Sequence, residues 1–163
     1  MQIRAAHPND AGGICTVWNP YIAESAVTFT TDEKTVIGIA ADIRDRDGAF
    51  FVLEEDSQIL GFATYFQFRR GPGYMYTSEH TILLAPEAQK QGAGRALMET
   101  LEAHAREAGM HSLIGGISAE NPGGVSFHAA IGFTEIARLP EVGFKFDRWM
   151  DLVLMQKILG GSS

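Results

Sequence analysis

The chain is poor in the residues that would impose structure from outside a hydrophobic core. Cys15 is its only cysteine, which excludes an internal disulfide and a cysteine-based metal site and fits a reducing compartment such as the cytoplasm. Long apolar runs are missing too. Met1-Gln2-Ile3-Arg4-Ala5-Ala6-His7-Pro8 lacks the apolar stretch of a signal peptide, and no later segment is apolar enough to span a bilayer. A cytoplasmic protein without a membrane partner is expected. Positive charge is also scarce: a formal net charge of -7 and the want of a basic stripe interleaved with aromatics oppose a nucleic-acid partner. No repeat and no interdomain linker interrupts the chain. What remains is 163 residues with 45% hydrophobic and 20% charged side chains, the balance of one folded domain over residues 1–159. The small, polar tail 160–163 is expected to be a flexible end.

Hydrophobic spacing predicts the elements in order. Ile3 to Ala6 reads as a first strand, followed by a helix from about Asn9 carrying Ala11, Ile14, Trp18 and Ile22 on one face, with Pro20 expected to kink or end it. A second helix is expected from Glu33 to about Arg46. Phe50 to Leu53 and Ile59 to Phe66 form a hairpin, and the loop Arg69-Arg70-Gly71-Pro72-Gly73 leads into a long strand from Tyr74 to Leu84. From Gly94 to Ala108 the apolar residues Leu97, Met98, Leu101, Ala105 and Ala108 share one helical face, with Gly109 as its stop. Leu113 to Ile117 is a buried strand. Asn121-Pro122 is a helix cap and first turn, opening a short helix to about Ile131. Phe133 to Leu139 and Lys145 to Gln156 complete the order β-α-α-β-β-β-α-β-α-β-β.

The segment from Leu83 to Leu97 sets a glycine-rich turn between a strand and a helix. Gly92 and Gly94 let a ligand approach the backbone, the helix start presents unpaired N–H groups, and its dipole favours a pyrophosphate there. Lys90 and Arg95 add positive charge. The spacing fits neither a P-loop nor a Rossmann turn. Gln89-x-x-Gly92-x-Gly94 resembles instead the Gln/Arg-x-x-Gly-x-Gly/Ala signature of the GNAT acetyltransferases. The resemblance extends from Ile3 to Ile158. It narrows to the phosphinothricin and methionine-sulfoximine N-acetyltransferase group through Ser78-Glu79-His80-Thr81, through the run from Asn121 to Phe133, and through the run from Val142 to Trp149.

That resemblance implies a mixed α/β fold, a curved central sheet of about seven strands with helices on both faces, and acetyl-CoA as cofactor. It implies that Gln89, Lys90, Gln91, Gly92, Ala93, Gly94, Arg95 and Ala96 hold the pyrophosphate. Backbone groups of Ile82, Leu83 and Leu84 would pair with the pantetheine arm, which Asn121 and Ser126 would also touch. Glu79, on a strand where a carboxylate is ordinarily just solvent-facing, would be the general base that takes the ammonium proton of the acceptor, since only the neutral amine attacks a thioester. His128, four residues before Gly132, is the candidate acid; with an ordinary pKa of ~6.5 a histidine can exchange a proton near neutrality. A lone helical histidine is as readily a packing residue.

For the acceptor, Arg69 and Lys145 are candidate partners of a carboxylate, and Trp18, Phe29, Tyr74 and Trp149 are candidate walls. Met75 stands where many members of that group carry arginine. This opens a second enzyme class, a peptide or protein N-acetyltransferase, beside the small amino-acid-like acceptor. A CoA-binding regulatory module without turnover is a third reading, against which Glu79 and His128 both argue. The resemblance further suggests a homodimer whose C-terminal segments help to shape the pocket.

Overall fold

A computed structural model of the chain describes residues 1–89 and 91–160; Lys90 and residues 161–163 of the expected tail lie outside the described residues. The elements follow the order read from the sequence: β1 (Gln2–Ala5), α1 (Ala11–Glu24), α2 (Val36–Asp45), β2 (Phe50–Glu55), β3 (Gln58–Gln67), β4 (Thr77–Leu84), α3 (Ala93–Glu107), β5 (Ser112–Ser118), α4 (Pro122–Ala130), β6 (Thr134–Lys145) and β7 (Arg148–Ile158). The seven strands belong to one sheet in the order β1-β2-β3-β4-β5-β7-β6, so the fold is mixed α/β as expected. Among the described residues no helix is long and apolar enough to cross a membrane.

The chain divides into two compact units. The first comprises Met1–Asn19, Lys34–Phe66 and His80–Gly109. Here β1, β2 and β3 form an antiparallel meander. The β2–β3 turn is Asp56-Ser57, both residues at positive φ (52° and 64°), the geometry that matches the twist of a two-residue hairpin. Phe50 to Leu53 are buried without alternation, which marks a strand covered on both faces. Helix α3 packs against β1 and β2; Leu97, Met98, Leu101 and Ala105 of the stripe read from the sequence are at most 1% exposed, whereas its last member, Ala108, is exposed where it caps the end of the helix. Each large member of that stripe contributes about 1.5–3 kcal/mol by leaving water.

The second unit comprises Pro20–Glu33, Gln67–Glu79 and the chain from Met110 onward. In it β5 pairs antiparallel with β7, and β7 with β6, while α4 packs against β5 and β6. Strand β6 is longer than its sequence suggests, because the chain runs on through a bulge between Leu139 and Gly143. Glu141 sits there at φ 54°, its N–H donated to Asp151 Oδ1 (2.9 Å) while Arg138 Nε donates to Asp151 Oδ2 (3.1 Å). One carboxylate thus fastens the bulge.

Other expected boundaries move as well: β7 starts at Arg148 rather than Lys145, which belongs to β6. Pro20 does not end α1, which continues to Glu24; buried Ile14, Val17 and Ile22 carry the helical face past the hydrogen bond that proline removes. The second helix opens at Val36, where Thr35 Oγ1 accepts from Gly38 N (3.0 Å) as a side-chain cap. The strand expected from Tyr74 starts at Thr77, since Pro72–Tyr74 closes a 3-10 turn.

Candidate active site

In the first unit, β4 ends at Leu84 and the chain makes a 3-10 turn over Pro86–Ala88. Gln89 then returns to extended backbone, and Gln91 Nε2 donates to Glu87 O (3.0 Å). Gly92 caps α3 at φ 77° and provides no side chain to its N–H groups. Chain neighbours and the helix's own backbone aside, no atom of the described residues lies within 4 Å of the place where a Cβ of Gly92 would stand. The helix therefore begins with an open approach to donors that its own dipole makes positive. Gln91, Gly92 and Arg95 are exposed, whereas Ala93 and Gly94 are buried. The two glycines of the motif thus differ: Gly92 faces outward and Gly94 faces the packed side of the helix.

In the second unit, Glu79 stands near the start of β4 with a half-buried side chain. Burial pushes its carboxyl above the ordinary carboxylate range, because desolvation disfavours the charged form. Its carboxylate enters no hydrogen bond or ion pair among the described residues. Beside it is Gly116 of β5: a Cβ built there would stand 3.4 Å from Glu79 Oε2 and 3.6 Å from Leu152 Cδ1.

Asn121 is the side-chain cap of α4, its Oδ1 accepting from Gly124 N (3.1 Å). Gly124 also accepts, through its carbonyl, from His128 Nδ1 (2.8 Å). A carbonyl can only accept, so Nδ1 carries the proton. The His128 ring is buried, meets Phe127 and Phe133 edge to face at 5.2 Å, and burial holds its pKa below the usual histidine value. These features describe a packed imidazole whose burial lowers its basicity. Ser126 is exposed on the same helix.

The acceptor-side candidates separate in the same way. Lys145 is 3% exposed and its ammonium donates to Ser25 O (2.6 Å), Thr28 O (2.8 Å) and Thr28 Oγ1 (3.1 Å). An ammonium has three protons, so Lys145 fastens the segment around residues 25–28 and has no donor left for a substrate carboxylate; the role expected of it is corrected accordingly. Phe29 lies against the same strand, over Gly143, where a Cβ would come within 2.5 Å of the ring. Arg69 remains an open cation: its guanidinium lies 6.0 Å from the centre of the Tyr74 ring and makes no hydrogen bond or ion pair among the described residues. Its loop is held by Gln67 Nε2, which donates to Arg69 O and Gly71 O. Tyr74, Met75 and Trp149 are exposed, and Trp149 stacks on Phe144 with ring centres 4.8 Å apart. Trp18 belongs elsewhere, packed on Phe62 at 4.6 Å in the first unit.

Sequence reasoning missed Gly116, Leu152, Ser25 and Thr28. Only the first had a signal: a glycine pair inside an apolar strand marks close approach of something to the backbone.

A profile of the acetyltransferase (GNAT) family matches residues 16–133. The chain is 33% identical over 161 residues to an L-methionine sulfoximine/L-methionine sulfone acetyltransferase of Salmonella typhimurium, covering 96% of this chain and 93% of that protein. It is 31% identical over 161 residues to a phosphinothricin N-acetyltransferase of Alcaligenes faecalis, covering 96% and 82%. The fold superimposes with a TM-score of 0.94 on a crystallised acetyltransferase of Salmonella typhimurium with its cofactor acetyl-CoA, at 31% identity over 100% of this chain and 96% of that one. With the motif, the element order and these likenesses in agreement, the chain belongs to the GNAT family and is an acetyltransferase that draws its acetyl group from acetyl-CoA.

Proposed function

We propose that the chain acetylates the amino group of a small amino-acid-like acceptor of the methionine sulfoximine or phosphinothricin type, with Glu79 as general base. The observation that carries this reading is the Glu79 carboxylate, half-buried, unpaired among the described residues and pushed toward neutrality. Such a group is poised to take a proton from an ammonium. The open, uncapped start of α3 after Gly92 fits a pyrophosphate. Gln89 and residues 91–96 would hold it there, with Asn121, Ser126 and the backbone of Ile82, Leu83 and Leu84 toward the pantetheine arm. Acetyl-CoA, when bound, supplies a thioester carbonyl as the electrophile for an amine. Glu79 removes the ammonium proton, directly or through water, and exposes the nitrogen lone pair. His128 fixes α4 through Gly124 rather than supplying a proton. Arg69, with its planar fork of donors and no hydrogen bond or ion pair among the described residues, receives the carboxylate of the acceptor.

A screen of thiol release with free amino acids, polyamines, aminoglycosides and peptides tests the assignment. Turnover of L-methionine sulfone or phosphinothricin supports it. Turnover of peptides alone moves the enzyme to the second class that Met75 suggests.

The pyrophosphate site has its own test. Gly92→Val places a β-branched side chain at φ 77°, a backbone region that costs such residues about 1–3 kcal/mol, and fills the open approach. The apparent Kd for acetyl-CoA should rise about tenfold or more. Unchanged calorimetric binding by a folded variant would remove the turn from the site.

We also infer a homodimer. Ile136, Val142, Phe144, Phe146 and Trp149 on the β6–β7 hairpin are each about half exposed or more, an apolar surface that a second copy would cover. A purely monomeric sedimentation profile at micromolar concentration would contradict this.

A further inference from the structure

Strand β5 is buried from end to end except at one residue. Leu113, Ile114, Ile117 and Ser118 are at most 6% exposed, yet Gly116, between them, is exposed. A glycine in a strand interior weakens pairing and packs nothing, so this position stabilises the fold less than almost any other residue would. Its backbone lies outside the positive-φ region, and no turn or bulge interrupts its pairing opposite Leu154. Conformation therefore does not require glycine here. Packing within the chain does not require it either, since a Cβ would make only ordinary contacts; the volume it would fill is bounded by the Glu79 carboxylate at 3.4 Å on one side and by Leu152 Cδ1 and Cδ2, at 3.6 and 3.9 Å, on another. One wall is a base, the other is aliphatic. That pairing of surfaces suits a primary amine whose α-carbon bears an apolar substituent, with the nitrogen toward the carboxylate and the substituent toward the leucine.

We infer that Gly116 is a specificity-determining position, its missing side chain being the space through which the acceptor amine and its α-substituent reach Glu79. The inference rests on Glu79 as the base, and deepens that reading by locating the limit on acceptor bulk. A methyl group at residue 116 would meet Glu79 Oε2 at 3.4 Å, an ordinary contact that asks for no backbone movement. It would take the place of water or amine at the carboxylate and narrow the passage beside Leu152. Larger side chains would close it.

Gly116→Ala is the test, with two readouts. In the first, the Glu79 carboxyl is titrated by carbon NMR in glutamate-labelled protein without ligands, its signal identified by its absence in Glu79→Gln. The alanine methyl should raise the midpoint, because it removes solvent from the charged form. In the second, kcat/KM is compared for L-methionine sulfone and for propylamine, which is unbranched at the carbon that bears nitrogen. The ratio should move against the branched acceptor by about tenfold or more, the usual scale for one methyl group in a confined pocket. A folded Gly116→Ala protein with an unchanged ratio of kcat/KM for the two acceptors overturns the inference, whatever the titration. If Glu79→Gln keeps full activity while Gly116→Ala still shifts the titration, the base assignment falls and the open space beside the carboxylate stands. If Glu79→Gln is inactive and Gly116→Ala alters neither readout, the base stands and Gly116 has no part in specificity.

Discussion

Glu79→Gln should lower kcat by about two to four orders of magnitude, the usual range for loss of a general base, with the Kd for acetyl-CoA essentially unchanged. Glutamine keeps the volume and loses the basic oxygen. The same substitution should leave the fold as stable as before at pH 7, or more so, and the sign follows from the raised pKa of this carboxyl. The folded protein holds the Glu79 proton more tightly than the unfolded chain does. Ionising it in place therefore costs stability, a cost that sets in as pH rises past the unfolded value of about 4.3 and is complete above the folded one. Glutamine removes that cost. The difference in Tm between variant and parent should be largest near neutrality and vanish below pH ~4. A variant that lost activity and melted several degrees lower at pH 7 would identify Glu79 as a packing residue.

Lys145→Met should have the largest effect on stability, about 2–4 kcal/mol. Three charged hydrogen bonds to Ser25 and Thr28 disappear together, and two backbone carbonyls that had a buried donor are left to find water. For a protein of this size that corresponds to a fall in Tm of about 5–15 °C. Methionine keeps the length and apolar stem, so the loss measures the ammonium rather than the packing. Thermal melts of parent and variant at matched pH check the value, and a change below 1 kcal/mol would show that the segment around residues 25–28 holds its place without Lys145.

The strand, turn and helix proposed for the cofactor were legible in the sequence as elements because their determinants are local. A strand, a turn with Gly92 and a helix with an apolar stripe occupy one short stretch, and each of them leaves its mark on residue spacing. Glu79 was proposed only by resemblance, since nothing near it in the chain distinguishes a base from a solvated strand residue; Gly116, which the fold sets beside its carboxylate, is distant in sequence. Lys145 was misread for the converse reason. A lysine at a strand end is ordinarily exposed, and only the folded chain brings the carbonyls of Ser25 and Thr28 to it. The strand expected to end at Leu139 runs on to Lys145 because Asp151, distant in sequence, holds it together across its bulge. Similarly, Phe146-Asp147 at φ 54° and 57° makes the β6–β7 turn without the glycine or asparagine that would announce it.

The central claim, that Glu79 deprotonates an amino-acid amine for acetylation, is tested most directly by the pH dependence of kcat/KM for L-methionine sulfone in the parent enzyme and in Glu79→Gln. The account predicts an acidic limb in the parent, its midpoint above the ordinary carboxylate range because burial raises that pKa. It predicts that this limb is missing in the variant, whose rate instead climbs steadily with the fraction of acceptor present as free amine and approaches the parent at high pH. The same acidic limb in both proteins, at similar rates, would contradict it.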